Sequence, residues 1–339
     1  MKTADFDYDL PQELIAQTPV EPRDHSRLMV LHRETGVLEH RHFFEIAKYL
    51  RPGDLLILND SRVIPAKLIG YKLSGGAKVD ILLLWQVEPG VWEALARPAR
   101  RLKPETRVKL KGEGEELLAE VINRTEKGTL LIRFENQVLL EKIGKVPLPP
   151  YIHVPLQDPE RYQTVYSRVE GSVAAPTAGL HFTPELMARL RERGVELAFV
   201  TLHVGLGSFR PVKVDDPREH YLAPEYCEIG PETSQKINQA RGEGRRVICV
   251  GTTAVRAVEG ALNASGRVDS HKGWNSLYIL PGYQFRVAGA LITNFHLPRS
   301  TLLMLVCAFA GRELVLKAYE EAIHQGYRFY SFGDAMLIL

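Results

Sequence analysis

A chain of 339 residues with 45% hydrophobic and 25% charged residues has the composition of a globular protein with one large or two ordinary cores. Its net charge of +2 argues neither for nor against nucleic acid, and its longest apolar stretches, 301–310 and 81–85, are too short to span a bilayer. Three separated cysteines, Cys227, Cys249 and Cys307, without a Cys-x-x-Cys pair, suggest neither a disulfide framework nor a structural zinc site. With a polar start that lacks an apolar signal region, the expected location is cytoplasmic.

Residues 28–31 and 55–58 read as strands around a helix-like segment at 42–50. From about residue 65 to 147 the texture changes to short alternating runs at 66–71, 78–84, 91–96, 107–110, 117–123 and 129–134. Turn signals at Gly75-Gly76, Pro89-Gly90 and Lys127-Gly128 punctuate them without an intervening helix, which predicts a small β-barrel or sandwich. Pro147, Pro149 and Pro150 end the region as a stiff connector. Beyond residue 160 the pattern becomes α/β. Helices are expected at 184–193, 231–241, 253–262, 300–309 and 314–324, and strands at 195–203, 246–250, 277–280 and 288–293. Thr183 and Pro184 supply an N-cap and a first-turn proline. The whole predicts an α/β parent domain, with a mixed or barrel-like sheet, at 1–62 and 151–339, and a small all-β barrel inserted at 63–150.

Chemistry concentrates in five polar runs. The first, Gly-Ser-Val-Ala-Ala-Pro-Thr-Ala-Gly-Leu-His-Phe-Thr from Gly171 to Thr183, buries little apolar area for the entropy of ordering it. It offers instead amide donors, hydroxyls and one titratable ring, His181. The second places His203 beside Gly205 and Gly207 after a strand. In the third, Cys249 to Arg256, a strand, tight turn and helix put the Gly251 amide and the Thr252 and Thr253 hydroxyls where an anionic or polyhydroxylated ligand would bind. Arg256, one helical turn before Glu259, suggests a local ion pair. The fourth run leads a strand into Asn294 and His296, and the fifth puts Asp334 at the end of an aromatic strand.

Three loop imidazoles beside Gly, Thr and Asn predict a shared pocket. No i, i+4 His pair, Gly-x-Ser-x-Gly elbow or dinucleotide fingerprint occurs, which argues against a helix-borne zinc site, a serine hydrolase and a Rossmann enzyme. Arg97, Arg100, Arg101 and Lys103 form a basic cluster, and Arg241, Arg245 and Arg246 another; each is a solvated face or an RNA contact.

These runs are joined by Phe6-Asp7-Tyr8-Asp9-Leu10-Pro11, Asn59-Asp60-Ser61-Arg62-Val63-Ile64-Pro65-Ala66, Pro147-Leu148-Pro149-Pro150-Tyr151-Ile152 and Tyr162-Gln163-Thr164-Val165-Tyr166. In order, and over nearly the whole chain, they resemble the S-adenosylmethionine:tRNA ribosyltransferase-isomerase family of queuosine biosynthesis. The resemblance implies transfer and isomerisation of the ribosyl moiety of S-adenosylmethionine onto 7-aminomethyl-7-deazaguanine at the tRNA wobble position, giving epoxyqueuosine and releasing adenine and methionine. It implies a monomer with no metal or redox cofactor, S-adenosylmethionine being a consumed substrate.

For that reaction His181 and His203 are candidates for the base that removes the ribose C5′ proton, acidified by the sulfonium. Glu259 and Asp334 are candidates to assist the departing adenine. Thr177, Gly179, Gly205, Gly207, Gly251, Thr252, Thr253, Arg256, Asn294 and His296 are the expected nucleoside and methionine contacts, with Arg23 and Arg27 as further carboxylate partners. Arg97, Arg100, Arg101 and Lys103 are the expected tRNA phosphate contacts. The chain departs from the family pattern twice. His220-Tyr221-Leu222-Ala223-Pro224-Glu225 stands in place of His-x-Met-His-x-Glu, and Asn275-Ser276 in place of Thr-Asp. The missing imidazole at Ala223 motivates an alternative, a tRNA-binding member with lost or altered catalysis.

Overall fold

The structure is a computed structural model that describes all residues except 113, 127 and 206–210. Two compact units divide the chain: Met1–Arg62, Pro150–Val169 and Ala175–Leu339 form one, Val63–Pro149 and Glu170–Ala174 the other. The return segment Glu170–Ala174 lies outside the span expected from composition. It joins the second unit because Val173 is buried in that unit's core and Ser172 O accepts from Ile64 N at 3.0 Å.

A nine-stranded mixed sheet organises the first unit, in the order His271–Asn275, Glu225–Ile229, Glu196–Leu202, Leu55–Asn59, Val247–Val250, Ala290–Asn294, Ala335–Ile338, Arg27–His32, Val37–His42. The strands from Glu196–Leu202 to Ala290–Asn294 run parallel. Ala335–Ile338 is antiparallel to Ala290–Asn294 and parallel to Arg27–His32. The carboxyl ends of the parallel strands and the amino ends of these last two therefore share one edge.

Parallel strands are covered on both faces, and Leu55–Asn59 and Val247–Val250 are buried at every residue. On one face Leu28, Val30, Leu56, Leu58, Ile248, Val250, Ile292 and Leu337 pack with Phe43, Leu186 and Leu190. Helices Pro231–Gly242 and Thr252–Gly260 also pack on the sheet. Each fully buried aliphatic chain contributes roughly 1.5–3 kcal/mol, so the sheet is the rigid base on which the strand-end loops are held. Thr183 caps its helix as expected, accepting from Leu186 N at 3.1 Å, and Ser300, read as the first residue of the next helix, caps it by accepting from Leu303 N at 3.2 Å.

Three expected elements differ. The segment 42–50 is not an α-helix but the 3-10 helix Phe43–Lys48, entered from an unforeseen strand, Val37–His42. Residues 277–280 form no strand, because Leu277 spends its carbonyl on Arg256 Nε at 2.9 Å and its amide on Asn275 Oδ1 at 2.8 Å. The strand there is His271–Asn275, paired with Glu225–Ile229. Nor do residues 327–334 form an aromatic strand. Gly333 N closes a turn on Tyr330 O at 3.0 Å, Tyr330 has φ of 70°, and the strand begins only at Ala335.

In the second unit six antiparallel strands close a barrel: Leu130–Phe134, Val91–Arg97, Lys78–Glu88, Lys67–Lys72, Arg107–Gly112 and Glu115–Arg124. These are the six runs read from alternation, and Leu68, Val79, Ile81, Val108, Leu110, Val121 and Ile132 fill the interior. An unforeseen helix, Gln137–Ile143, is capped by Asn136 Oδ1 on Leu139 N at 3.2 Å and adds Leu140 and Ile143 to the core. Arg97, Arg100, Arg101 and Lys103 are all exposed on this unit.

Candidate functional site

Along the shared strand edge of the first unit lie three small, half-open hollows. Arg23, Ser26, Arg161, His181 and Arg328 line the first; Tyr151, Asn294, His296 and Tyr330 line the second; Thr177, Gly251, Thr252 and Thr253 line the third. Ser331 is shared by the first two, and Thr177, Asn294 and His296 by the last two, so the hollows form one groove.

Local sequence explains how the walls arise. Gly251 has φ 89° and ψ 152°, a conformation essentially reserved for glycine, and its amide donates to Ile292 O at 2.7 Å. The chain thus passes from strand Val247–Val250 into helix Thr252–Gly260 with no loop between, and sets Thr252 and Thr253 on the groove. Asn59 Nδ2 ties neighbouring strand ends by donating to Leu202 O at 2.9 Å and to Thr253 Oγ1 at 3.2 Å. Gly179 serves packing rather than a ligand, because an added Cβ would collide with the Tyr166 hydroxyl.

Asn294 is the centre of the groove's hydrogen bonding. Its Nδ2 donates to Tyr330 O at 3.1 Å and meets His181 Nε2 at 3.1 Å, while its Oδ1 accepts from Thr177 Oγ1 at 3.2 Å. A carbonyl only accepts, so the bond to Tyr330 fixes the amide orientation. His181 Nε2 is then the unprotonated nitrogen, and Nδ1–H donates to Ser26 Oγ at 2.7 Å. The ring also stacks on Phe43, with centroids 5.0 Å apart. His296 is tied through Nε2 to Thr293 Oγ1 at 2.7 Å.

Burial lowers His181 to about 3, with Arg328 and Arg23 adding to the effect, and burial alone lowers His296 to about 3. Both rings are neutral at physiological pH. In the unfolded chain they titrate near about 6.5, so between these values the unfolded state binds more protons and stability rises with pH. The melting temperature is expected to be flat above about pH 7.5 and to fall from about pH 7 to 5, each ring contributing up to about 1.4 kcal/mol per pH unit. His296→Asn is expected to make that fall shallower. A flat melting temperature across the interval, followed by circular dichroism, would contradict the neutral, buried state.

Several expected site residues lie outside the groove. Glu259 accepts from the amides of Arg286 at 3.1 Å, Val287 at 2.8 Å and Ala288 at 3.0 Å and from Tyr283 Oη at 3.1 Å, so it anchors a loop rather than assisting adenine. Glu259→Gln is expected to lower stability by about 1–3 kcal/mol, because an amide nitrogen cannot accept these donors, with adenine release at the unperturbed rate. A loss of turnover larger than the loss of folded protein would return Glu259 to the site. Asp334 likewise binds Arg27 N at 2.9 Å and Arg328 N at 2.8 Å, and burial raises its carboxyl against these bonds.

Arg256 does not pair with Glu259 but with Glu225, which also accepts from Gly205 N at 2.8 Å. Arg27 lies over the Tyr327 ring at 3.7 Å and donates to Gln325 O at 2.7 Å, away from the hollows. His203 stacks on Tyr226 at 5.5 Å, and only its neighbour Val204 lines the groove among the described residues. Burial lowers it, opposed by Asp60 and Glu228. Gly207 lies outside the described residues. At the two departures, Leu222 is buried and Ala223 exposed, while Asn275 is a structural amide that donates to Arg256 O at 2.8 Å.

The groove thus gathers His181, Thr177, Gly251, Thr252, Thr253, Asn294, His296 and Arg23 from the sequence expectation. It adds Arg161 and Ser26, which no local pattern marks, and Arg328, Tyr330 and Ser331, which lie in the fifth run but were assigned no role there. Among the described residues no group of His, Cys, Asp or Glu is placed to hold a metal, and no helix is long and apolar enough to cross a membrane.

Glycine, threonine and neutral imidazole at the carboxyl edge of a parallel sheet define an enzyme of the α/β class with a strand-end crevice for a polar ligand. The chain belongs to the queuosine biosynthesis protein family, whose model matches residues 3–338. It is 57% identical over 343 residues to the S-adenosylmethionine:tRNA ribosyltransferase-isomerase of Dehalococcoides mccartyi strain CBDB1, covering 100% of both chains. The enzyme of the same name from Moorella thermoacetica is 55% identical over 344 residues, again covering 100% of both. Among solved structures, the S-adenosylmethionine tRNA ribosyltransferase of Thermotoga maritima is similar, with 43% identity and a TM-score of 0.58 over 99% of this chain and 100% of that one.

Proposed function

We infer that this chain is a transferase-isomerase that moves the ribosyl moiety of S-adenosylmethionine onto tRNA in queuosine biosynthesis. The observation that carries the reading is 57% identity along the full length of a relative bearing that activity in its name. The acceptor is the aminomethyl group of 7-aminomethyl-7-deazaguanine at the wobble position, the product is epoxyqueuosine, and adenine and methionine leave. The protein acts as a monomer and consumes S-adenosylmethionine as substrate, needing no resident cofactor.

The groove's chemistry supports this. A sulfonium nucleoside is cationic, and the neutral state of His181 and His296 removes the imidazolium charge that would repel it. Thr177, Thr252, Thr253 and Asn294 supply donors and acceptors for ribose hydroxyls. With both nitrogens of His181 engaged, its role is to orient Asn294 and Ser26. His296, whose ring is bound among the described residues only through Nε2, keeps its second nitrogen as a hydrogen-bond partner for the ligand.

The test is incubation with S-adenosylmethionine and tRNA bearing the deazaguanine base, with adenine followed by chromatography. Adenine release that requires the modified tRNA is expected. Binding of tRNA without turnover would favour a family member with lost catalysis, and turnover without RNA would favour a small-molecule enzyme. Arg97, Arg100, Arg101 and Lys103 contact tRNA phosphates. Among the described residues the ion pairs of their unit, Lys78–Asp80, Lys109–Glu116 and Lys111–Glu116, do not involve them. Replacing the four by Gln is expected to weaken tRNA binding roughly 10-fold and to lower its salt slope by about 0.7–0.9 per lost contact. S-adenosylmethionine affinity stays unchanged in that variant; unchanged tRNA affinity would move the footprint elsewhere.

A further inference from the structure

The first hollow of the groove is built differently from the other two. Arg23, Arg161 and Arg328 converge on it with Ser26 and His181, and no carboxylate lines it among the described residues. Backbone carbonyls hold all three guanidinium groups. Arg23 donates to Gln163 O at 2.7 Å and Glu160 O at 2.8 Å, and Arg161 to Val20 O at 2.7 Å. Arg328 donates to Thr18 O at 3.1 Å and Phe332 O at 3.0 Å. Carbonyl bonds fix a guanidinium without cancelling its charge.

The nearby acids do not neutralise the hollow. Glu21 meets Arg161 at 2.9 Å but is 74% exposed; Glu160 pairs with Arg62; Asp334 is occupied by two backbone amides. The three cations are close enough to act on their neighbours, since burial and then Arg161 lower Arg23 against the opposing pull of Glu21, Asp158 and Glu160, and Arg328 and Arg23 help burial to lower His181. Three like charges held together, with the exposed Glu21 paired to one of them, form a receptor for an oxyanion.

We propose that this hollow binds a backbone phosphodiester of the RNA substrate next to the reacting nucleotide. The proposal rests on the function inferred above and names the substrate group this part of the groove takes. The other oxyanion at hand is the methionine carboxylate. It brings an α-ammonium and a sulfonium with it, and the hollow has no acid for either. A phosphodiester brings oxygen acceptors and no cation, and it suits forked guanidinium donors. Ser26 fits the same role: its oxygen accepts His181 Nδ1–H, which leaves its own O–H to donate to a phosphate oxygen. Phosphate binding is thereby linked through His181 to Asn294, at the centre of the groove.

The experiment compares the full-length protein with Arg161→Gln, Arg328→Gln and Arg328→Lys. Inorganic phosphate is expected to raise the melting temperature of the wild type and to do so less in either Gln variant. With a fluorescein-labelled anticodon stem-loop, each Gln variant is expected to bind about 10-fold more weakly, with a salt slope lower by about 0.7. The Kd for S-adenosylmethionine, by calorimetry, stays within about 2-fold of wild type, less than half of a tenfold step in free energy. Arg328→Lys keeps the charge and is expected to recover most of the RNA affinity, whereas a purely structural arginine would leave Lys as poor as Gln.

Weakened S-adenosylmethionine binding with unchanged RNA affinity would assign the hollow to the methionine carboxylate and overturn the proposal. Variants equal to wild type in the phosphate and RNA measurements would overturn it as well. If wild type and variants differ in RNA binding but wild type releases no adenine, the inferred reaction fails while the phosphodiester site stands.

Discussion

Asn294→Asp is expected to lower adenine release by about 10²-fold or more and to cost about 1–3 kcal/mol of stability for each partner left without a donor. The substitution is nearly isosteric, so packing is unchanged and the effect comes from polarity. A carboxylate has no N–H to give to Tyr330 O or to His181 Nε2, both of which receive one from Asn294. His181 then faces an anion through a lone pair. It relieves the clash by moving its proton to Nε2, which deprives Ser26 of its donor, or by gaining a second proton. In either case the new anion raises the pKa of His181 from about 3, and in the second an imidazolium stands in a groove meant for a sulfonium. Two measurements follow this: adenine release against pH, and titration of the His181 ring by NMR. Wild-type turnover in the variant would remove Asn294 from the reacting groups, and an unmoved ring pKa would overturn the hydrogen-bond assignment.

The largest stability effect is expected at the pair formed by Glu225 and Arg256, whose side chains are only 5% and 4% exposed. Glu225→Leu leaves the Arg256 guanidinium buried, with the Leu277 carbonyl at 2.9 Å as its remaining partner among the described residues. Removing one member of such a pair costs about 3–5 kcal/mol, because a desolvated charge is left uncompensated. Adding Arg256→Met is expected to return most of that loss, since a well-packed apolar pair replaces a buried ion pair at little net cost. Urea denaturation of both single variants and the double variant supplies the cycle. A single-variant loss below about 1 kcal/mol is the size of an exposed pair and would mean that the pair is open to water. Gly205 adds a functional reading: its amide is held by Glu225 next to Val204 on the groove wall, so the pair also fixes the end of strand Glu196–Leu202.

Local pattern was sufficient where the physics is local. Six barrel strands are legible in the alternation because strand side chains change face at every residue. Thr183 announces its helix because a cap acts within three residues. The Gly251 turn and the polar ends at Asn294 and His296 are visible because strand-end crevices recur in α/β sheets. Segments whose conformation depends on distant partners were not legible. Tyr327 to Asp334 has the aromatic content of a strand, yet Gly333 must turn because a Cβ there would collide with the Arg328 carbonyl. Val37–His42, largely exposed, becomes a strand only by pairing with Arg27–His32.

The same division runs through the site. By its residues alone the chain determines an inserted all-β run within α/β flanks, and a set of Gly, Thr, Asn and His at strand ends that suits a nucleoside. Only the tertiary structure decides which of those residues share a groove. Glu259 and Asp334 read as catalytic acids because a carboxylate looks the same in sequence whether it faces a ligand or a backbone amide, and here both face amides. Arg161 carries no local mark and Arg328 is marked only as part of an aromatic run, yet they meet in one hollow with Arg23 because distant parts of the chain return to the same sheet edge. Secondary structure follows from forces acting over a few residues. A binding site is a convergence in space, set by which strands lie side by side.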